Sequence, residues 1–433
     1  DASDLSIPLR PVAPPVAPTA TIAGNLTDFD DLRNDARADA GLVLGSFDLP
    51  FLSTLVIPRL LARFDCWDPV TTGFAGGLVN PVGVPGNLYV PRQSEGVFGV
   101  PVTVDEHRFR VGRYPLGTDN LVGLAGKMPT QVVVDLLLNG GGDLGQLLEL
   151  LTPQEIGVLR GLEVAGDLND LSIPLATSLA PNASCAATGV PSGASLVCVA
   201  AGDWSGEDGT GRLFPMGLKS ASAAEVDMQR PGAARLNLTT VAPQGVFRDV
   251  GYLGVGVALY LDAGRIPAGQ AQAVSAVLDR TTLTPQGGQM GLSGFFDTTP
   301  LARDGLTFSW EPVATADSPA PDLCRIDVVR TVRTTYSPGA CTANRAESYE
   351  LPVWSGFVRA DPGALALPSL PADWPRGAQG GLVDVRETAE DDLLTMRVSC
   401  MGLGLAGGFD FDAAGFEVLI DGLTHITSNS TPF

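Results

Sequence analysis

LCRIDVVR, which spans residues 323–330, is the segment that indicates the fold of the chain most directly. Successive side chains of a β-strand point to opposite faces of the sheet. In an extended conformation, Cys324, Ile326 and Val328 therefore share one face, while Arg325 and Asp327 lie on the other. Such an alternation of apolar and charged residues predicts a strand with one buried face.

A second segment, LTFSWEPV at residues 306–313, precedes this strand and places Phe308 and Trp310 on one face. The two segments together resemble the opening of the fibronectin type III or immunoglobulin-like β-sandwich of bacterial cell-surface proteins. In those modules a tryptophan two positions after an aromatic residue lies on an inner face, and the next strand alternates apolar with charged residues. The resemblance covers roughly the last third of the chain and implies a C-terminal β-sandwich over residues 301–433.

Glycine and proline punctuate the rest of the chain. Its 433 residues include 52 glycines and 34 prolines, and apolar residues make up 45% of the total. Between residues 25 and 125, and again after residue 170, short apolar runs alternate with Gly/Pro/Asn turns, as in proteins built from many short strands. The predicted fold class is therefore mainly β, with two or three β-sandwich-like domains.

Residues 129–163 are the exception, because their pattern predicts a small helical insert. Pro129 precedes an apolar run that ends at Leu138, and a run of glycines follows at residues 140–142. The segment TPQE at residues 152–155 has the form of a capping box with proline at the first helical position. We therefore expect a helix to begin there.

Domain boundaries follow from composition and from one internal repeat. The hexapeptide DLSIPL occurs at residues 4–9 and again at residues 170–175, which supports a boundary near residue 168. The predicted organisation is a proline-rich extended arm at 1–24, a β-rich domain with the helical insert at 25–168, a central β domain at 169–300, and the C-terminal sandwich at 301–433. The arm is interpreted either as a linker or as a segment that lies along a β surface, with that of another subunit favoured.

The six cysteines favour disulfides, since none of them forms the CxxC pair of a zinc site. Cys185 and Cys198 lie on either side of a Gly/Pro/Ser turn, and Cys324 and Cys341 repeat this arrangement. Each pair would close a loop of hairpin size, which stabilises by roughly 3 kcal/mol in the loop-entropy model. Cys66 and Cys400 remain, and they would tie the N-terminal region to the C-terminal one. Disulfides indicate an oxidising compartment.

The charge balance excludes several classes of partner. The chain carries 48 acidic and 27 basic residues, giving a formal net charge of −21, and it has no cluster of Lys/Arg that would bind nucleic acid or anionic lipid. No apolar stretch reaches the length of a transmembrane segment. The sequence begins at Asp1, as expected for a processed chain that is secreted, either extracellular or on the outer cell surface, with the periplasm as an alternative.

Groups for acid–base chemistry are few. The two histidines, His107 and His425, have no GxSxG or HExxH motif to work with and are interpreted as surface or structural residues. A glycosidase needs only two carboxylates, but the candidates are too numerous to single out a pair: Asp203, Glu207, Asp208, Glu311 and Asp327. Three tryptophans are candidate platforms for a carbohydrate or peptide, with a core position as the alternative for each: Trp204, Trp354 and Trp374.

Calcium is the one cofactor that the sequence suggests. Asp410, Asp412 and Asp421 occupy ligand positions 1, 3 and 12 of an EF-type loop, and Gly415 stands at the glycine position. Ala414 replaces an expected oxygen ligand, so a β-turn with outward-facing acids is the alternative interpretation.

These observations together predict a secreted bacterial structural or adhesive protein of the cell surface, of the matrix or of an extracellular filament. We expect it to assemble with itself or with other cell-surface proteins through β surfaces and the extended N-terminal arm. Two other function classes remain open: a secreted, carboxylate-dependent hydrolase of the glycosidase type, and a module that binds carbohydrate or peptide.

Overall fold

The structure is a computed structural model of the chain. It describes these residues: 19–28, 37–48, 86–89, 108–129, 152–204, 212–229, 233–242, 244–260, 272–279, 283–284, 287–295, 301–304, 307–311, 320–336, 345–360, 363–366, 393–405, 409 and 422–432.

The prediction of a mainly β protein is confirmed, since strands dominate the described residues. The strands, in chain order, are β1 Thr19–Thr27, β2 Arg37–Gly45, β3 Phe47–Asp48, β4 Gly86–Tyr89, β5 Arg108–Pro115, β6 Gly117–Pro129, β7 Thr152–Val164, β8 Leu168–Pro174, β9 Thr177–Ala187, β10 Ser195–Asp203, β11 Arg212–Ala221, β12 Ala234–Val241, β13 Gly251–Leu259, β14 Gln272–Asp279, β15 Gly288–Leu292, β16 Leu301–Asp304, β17 Thr307–Trp310, β18 Leu323–Tyr336, β19 Arg345–Arg359, β20 Ala364–Ala366, β21 Leu393–Gly402 and β22 His425–Pro432. The described residues also contain one short α-helix, α1 Ala223–Gln229, and one 3-10 turn, Gly245–Phe247.

The prediction of a helix beginning at Thr152 is wrong, because residues 152–164 form β7. This strand pairs with β6 along most of its length and is apolar on both faces. Ile156 packs in the core between the two large sheets, and Val164 packs in the core on the opposite face. Burial on both faces overrides the local capping signal. The remainder of the predicted insert, residues 130–151, lies outside the described residues.

A capping box does occur elsewhere, at the start of α1. The Ser222 N–H donates to Glu225 Oε2 over 2.8 Å, and the Glu225 N–H donates to Ser222 Oγ over 3.4 Å. This reciprocal pair satisfies backbone donors that a helix leaves unpaired in its first turn. The segment SAAE at residues 222–225 therefore begins the helix that TPQE at residues 152–155 does not.

Two large sheets pack face to face. The nine-stranded sheet has the order β19-β18-β21-β22-β14-β13-β10-β11-β3, and the seven-stranded sheet has the order β12-β9-β7-β6-β2-β4, with β15 beside β9. Between them lie two apolar clusters, one around Leu196 and Met290 and one around Trp204 and Phe214. The ring centroids of Trp204 and Phe214 are 3.9 Å apart.

A small sheet, with the order β5-β1-β8, covers the opposite face of the seven-stranded sheet. Strand β6 shows how this arrangement uses the sequence. Leu121 and Ala125 pack toward the small sheet, whereas Val122 and Leu124 pack toward the nine-stranded sheet. A strand buried on both faces has a continuous apolar sequence rather than an alternating one.

The predicted arm at residues 1–24 needs a correction at its C-terminal end. Residues 19–24 belong to β1, the central strand of the small sheet, and Ala20 and Ile22 are buried in this chain's own core. The rest of the predicted arm, residues 1–18, lies outside the described residues.

A second small sheet, with the order β16-β17-β20, packs on the β18–β21 end of the nine-stranded sheet. Phe308 and Trp310 share its buried face, as predicted, and they contact the face of β18 that carries Ile326 and Val328. The alternation read from the sequence in residues 323–328 is thus confirmed. The resemblance to a fibronectin type III or immunoglobulin-like module remains a prediction.

The predicted disulfide between Cys185 and Cys198 is present, and it joins β9 of the seven-stranded sheet to β10 of the nine-stranded sheet. The predicted pairing of Cys324 with Cys341 is wrong, because Cys324 bonds to Cys400, and the same bond rules out the predicted link from Cys66 to Cys400. Cys324 and Cys400 lie opposite each other on β18 and β21, with their Cα atoms 4.0 Å apart. Cys66 and Cys341 lie outside the described residues.

The length of β18 explains why the local pairing failed. The strand continues to Tyr336, and the register of the hairpin places Val358, not a residue near Cys341, opposite Cys324. The cysteine on the neighbouring strand β21 is the one within reach.

The predicted division into domains at residues 24, 168 and 300 remains a prediction. The nine-stranded sheet hydrogen-bonds strands from all three of the predicted β domains, from β3 through β10 to β22.

Candidate functional site

The hairpin of β18 and β19 at the edge of the nine-stranded sheet is the candidate functional site. The two strands pair along their whole length, from Leu323 opposite Arg359 to Tyr336 opposite Arg345. On its other side, β18 pairs with β21 only as far as Thr331. Among the described residues, 332–336 and 345–349 therefore pair only with each other, and this two-stranded segment is hereafter called the ribbon. Its five residue pairs span roughly 17 Å.

Local sequence explains why the ribbon forms. Its strands, VRTVRTTY at residues 329–336 and RAESY at residues 345–349, contain β-branched and aromatic residues, which favour extended backbone. The register places Val332 opposite Tyr349, a β-branched and aromatic pair, and Thr334 opposite Glu347.

A polar cluster lies on one face of the sheet at the base of the ribbon. Its centre is Asp327, whose side chain is 6% exposed, and Arg325 beside it is 24% exposed. Arg325 Nε donates to Asp327 Oδ1 over 3.1 Å and lies 3.0 Å from Oδ2. The hydroxyl of Ser355 on β19 also donates to Asp327 Oδ1. This contact ties the edge strand to β18 through side chains as well as backbone.

Neighbouring strands extend the same polar face. Buried Arg397 on β21 is the direct cross-strand partner of Asp327, so the two side chains share a face. The hydroxyl oxygens of Ser399 and Ser428 lie 3.0 Å apart. Arg325 Cζ lies 5.8 Å from the centroid of the Phe357 ring. Asp327, together with Arg325 and Ser355, therefore forms a polar anchor between β18 and the edge strand β19. Within the described residues of this cluster, Asp327 is the only carboxylate.

Two of the candidate carboxylates, Asp203 and Asp327, are not brought together. Asp203 ends β10 and Asp327 lies on β18, five strand positions away in the sheet. At the usual spacing this is about 24 Å, whereas glycosidase carboxylates lie about 5–10 Å apart. Glu311 is exposed just after β17, and Glu207 and Asp208 lie outside the described residues.

The calcium loop predicted at Asp410, Asp412 and Asp421 lies outside the described residues, so it stays a prediction. In the part of the chain that the structure does describe, no group of three or more metal-binding side chains comes together.

Trp204 is not a ligand platform. It is 2% exposed and stacks in the core between the two large sheets, with the Arg160 Cζ atom 4.9 Å from its ring centroid. The core alternative for Trp204 is therefore the correct one. Trp374 and the side chain of Trp354 lie outside the described part.

His425, at the start of β22, has a structural environment. Its Nε2 lies 3.1 Å from the carbonyl oxygen of Ser293, and its Nδ1 lies 2.9 Å from Thr424 Oγ1. Burial lowers the pKa of His425 below its ordinary value of 6.5, and the hydrogen bond to Ser293 opposes part of this shift. His107 lies outside the described residues.

This pKa shift predicts a loss of stability in mild acid. Because the pKa is lower in the folded state, the unfolded state binds the proton more tightly. Neutral His425 makes its full contribution to the free energy of unfolding above its ordinary pKa of 6.5. This contribution is lost as the pH falls toward the pKa of the folded state. We expect His425→Gln to show a smaller fall in melting temperature than the wild type between about pH 7.5 and about pH 5.5. Parallel melting curves for the two proteins would contradict this.

Sequence reasoning found β18 but missed the ribbon and the roles of Arg325, Ser355 and Arg397. β-Branched and aromatic residues continue past Arg330 as far as Tyr336, and this was the signal for a longer strand.

Comparison with known proteins gives no match: no protein-family model, no curated protein and no solved structure is similar to the chain. No helix among the described residues is long and apolar enough to span a membrane. The two disulfides are compatible with an extracellular protein.

Proposed function

We propose that this chain is a secreted structural or adhesive protein of the cell surface, of the matrix or of an extracellular filament, and that it assembles through its β edges. The observation that supports this proposal best is the ribbon. The two strands of the ribbon pair only with each other among the described residues, and within that part of the chain their outer sides have no strand partner.

An isolated two-stranded ribbon is only marginally stable, because it lacks the third strand or packed face that would bury its apolar groups. Its unpaired edges are templates for another strand, and addition of a strand from a partner is a common mode of assembly. The ribbon therefore gains backbone hydrogen bonds when a second copy of the chain pairs with it.

The rest of the same edge is protected against such pairing. β19 contains Pro352, which has no backbone N–H to donate, and the register shifts between Val328 and Val329 where β18 meets it. Proline and β-bulges are devices that blunt sheet edges. At the opposite edge the sheet ends in the two-residue strand β3. Among the described residues of this sheet, the ribbon is thus the long edge segment that carries neither a proline nor a bulge, which directs assembly to it.

Secretion is supported by the disulfides, which form and persist in oxidising compartments. The Cys185–Cys198 bond joins the two large sheets, and the Cys324–Cys400 bond joins β18 to β21 at the end of β18 away from the ribbon, so both cross-link the folded body.

A proline at the centre of the ribbon tests this proposal. Thr334→Pro removes a backbone donor and disfavours the ribbon, while the pairing of β18 with β21, which ends at Thr331, is retained. We expect the variant to remain folded but to lose self-association by tenfold or more, measured by sedimentation velocity and negative-stain microscopy.

Thr334→Val is the matched control, because it keeps the backbone N–H and a β-branched side chain. It should assemble like the wild type. If Thr334→Pro assembles as well as Thr334→Val, the ribbon is not the assembly element. A wild-type protein that stays a monodisperse monomer at all concentrations would overturn the structural function itself.

A further inference from the structure

The repeated hexapeptide acquires a specific environment in the structure. Its second copy, residues 170–175, lies in and just after β8 and runs parallel to β1, with Leu171 opposite Gly24 and Ile173 opposite Leu26. The Leu175 N–H donates to the carbonyl oxygen of Thr27 over 2.8 Å. The Ser172 and Thr27 hydroxyls lie 3.2 Å apart.

The surface that holds this copy has a close fit to it. A Cβ atom at Gly24 would lie 2.1 Å from the carbonyl oxygen of Leu171, and one at Gly157 would lie 2.1 Å from that of Pro174. At Gly123 it would lie 3.1 Å from Ile173 Cγ2. Only glycine allows these approaches, so we call Gly24, Gly123 and Gly157 the glycine cradle. Ile173 and Leu175 are fully buried above it.

The first copy, residues 4–9, has the same six residues in the same order. A groove whose backbone contacts and side-chain pockets fit one copy has the same complementarity for the other. A segment that binds here must satisfy two requirements. Its Ile-Pro-Leu side chains must fit the apolar pockets, and its Leu-Ser-Ile-Pro backbone must approach the glycines closely.

The chain length between the first copy and β1 favours a cradle in a different molecule. To occupy its own cradle, the first copy would place Leu9 beside the Thr27 end of β1, and residues 10–18 would have to return to Thr19. β1 spans roughly 26 Å, whereas ten steps of proline-rich extended chain reach roughly 31 Å. The connection would be almost fully stretched along β1. A neighbouring copy carries no such constraint.

The second copy also includes an unfavourable backbone conformation. Asp170 has a φ of 61°, in the left-handed region that residues other than glycine adopt unfavourably, and the pairing of β1 with β8 is irregular between Ile22 and Gly24.

We propose that residues 4–9 of one copy replace residues 170–175 in the glycine cradle of a neighbouring copy, so that successive subunits are linked by strand exchange. The inference rests on the assembly proposed above and names the segment and the surface that carry it. The exchange forms and breaks only non-covalent contacts.

Cross-linking at one position of the register tests this directly. In the exchanged state, Ser6 takes the place of Ser172 beside Thr27. Under mild oxidation, the full-length double variant Ser6→Cys with Thr27→Cys should give a ladder of covalent dimers and longer chains, with disulfides between positions 6 and 27 found by peptide mapping. Ser172→Cys with Thr27→Cys is the positive control and should close within one chain. Ser3→Cys with Thr27→Cys is the out-of-register control and should cross-link at least tenfold less.

The outcomes separate this inference from the proposed function. A cross-link between positions 6 and 27 that closes only within one chain would show that the arm occupies its own cradle and would overturn strand exchange. Self-association without a cross-link above the out-of-register control would overturn strand exchange and leave assembly through the ribbon intact. Weaker self-association of Thr334→Pro, together with a ladder in the Ser6→Cys, Thr27→Cys variant that keeps Thr334, would support both.

Discussion

The double variant Cys324→Ala with Cys400→Ala is expected to lose about 4 kcal/mol of unfolding free energy. The bond closes a loop with a sequence separation of 76, and a cross-link of this length removes much of the entropy of the unfolded chain. Both cysteines are fully buried beside Phe308 and Ile326, so alanine preserves an apolar environment. Chemical denaturation followed by tryptophan fluorescence measures the loss.

Cys185→Ala with Cys198→Ala is the matched comparison. Its cysteines are also fully buried, but their separation is only 13 residues, which corresponds to about 3 kcal/mol in the same model. The long-loop variant should therefore be the less stable of the two. The reverse order would show that strain or residual structure in the unfolded chain, rather than loop length, determines these stabilities.

Asp327→Ala is expected to cost about 3 kcal/mol of unfolding free energy, because it leaves the Arg325 guanidinium and the Ser355 hydroxyl without the buried acceptor that they share. The partial exposure of Arg325, at 24%, allows water to replace part of the lost interaction and places the loss at the lower end of the usual range. Asp327→Asn keeps a hydrogen-bond acceptor for Ser355 and should lose less. Equal losses in the two variants would mean that the negative charge contributes nothing.

The anchor also links stability to assembly. Ser355 connects Asp327 to the edge strand, so Asp327→Ala should loosen the base of the ribbon as well as the sheet. The backbone amides of β19 are expected to exchange hydrogen faster in Asp327→Ala than in the wild type, through local opening and without global unfolding.

The sequence was sufficient for strands whose two faces differ. Residues 323–328 alternate because one face of β18 packs on Phe308 and Trp310, and that pattern could be read without a structure. It was insufficient for β7, where both faces are buried and no alternation exists. There the TPQE pattern predicted a helix, although the same pattern type, SAAE at residues 222–225, does begin one. Tertiary packing decides between the two, and it is not a local property.

Disulfide pairing shows the same limit. Cys185 and Cys198 are close in sequence because one turn connects their strands, and local spacing was a valid guide. Cys324 pairs across a sheet with a strand that follows much later in the chain, so the neighbour in sequence was misleading. The ribbon was missed for a related reason. A strand can be predicted from its residues, but whether it lies at an edge depends on which strands pair with it.

The Cys324–Cys400 bond has a mechanical consequence. If the folded chain is pulled from Thr19 and Pro432, force passes directly from one sulfur to the other and bypasses everything between them. The bypassed segment, with a separation of 76 residues, would otherwise contribute roughly 260 Å of contour length on unravelling. In an oxidising medium the disulfide keeps this contour length from being extended, and in a reducing medium the segment can unravel. The extensibility of the folded chain would then be set by the redox chemistry around it and not only by the strength of its sheets.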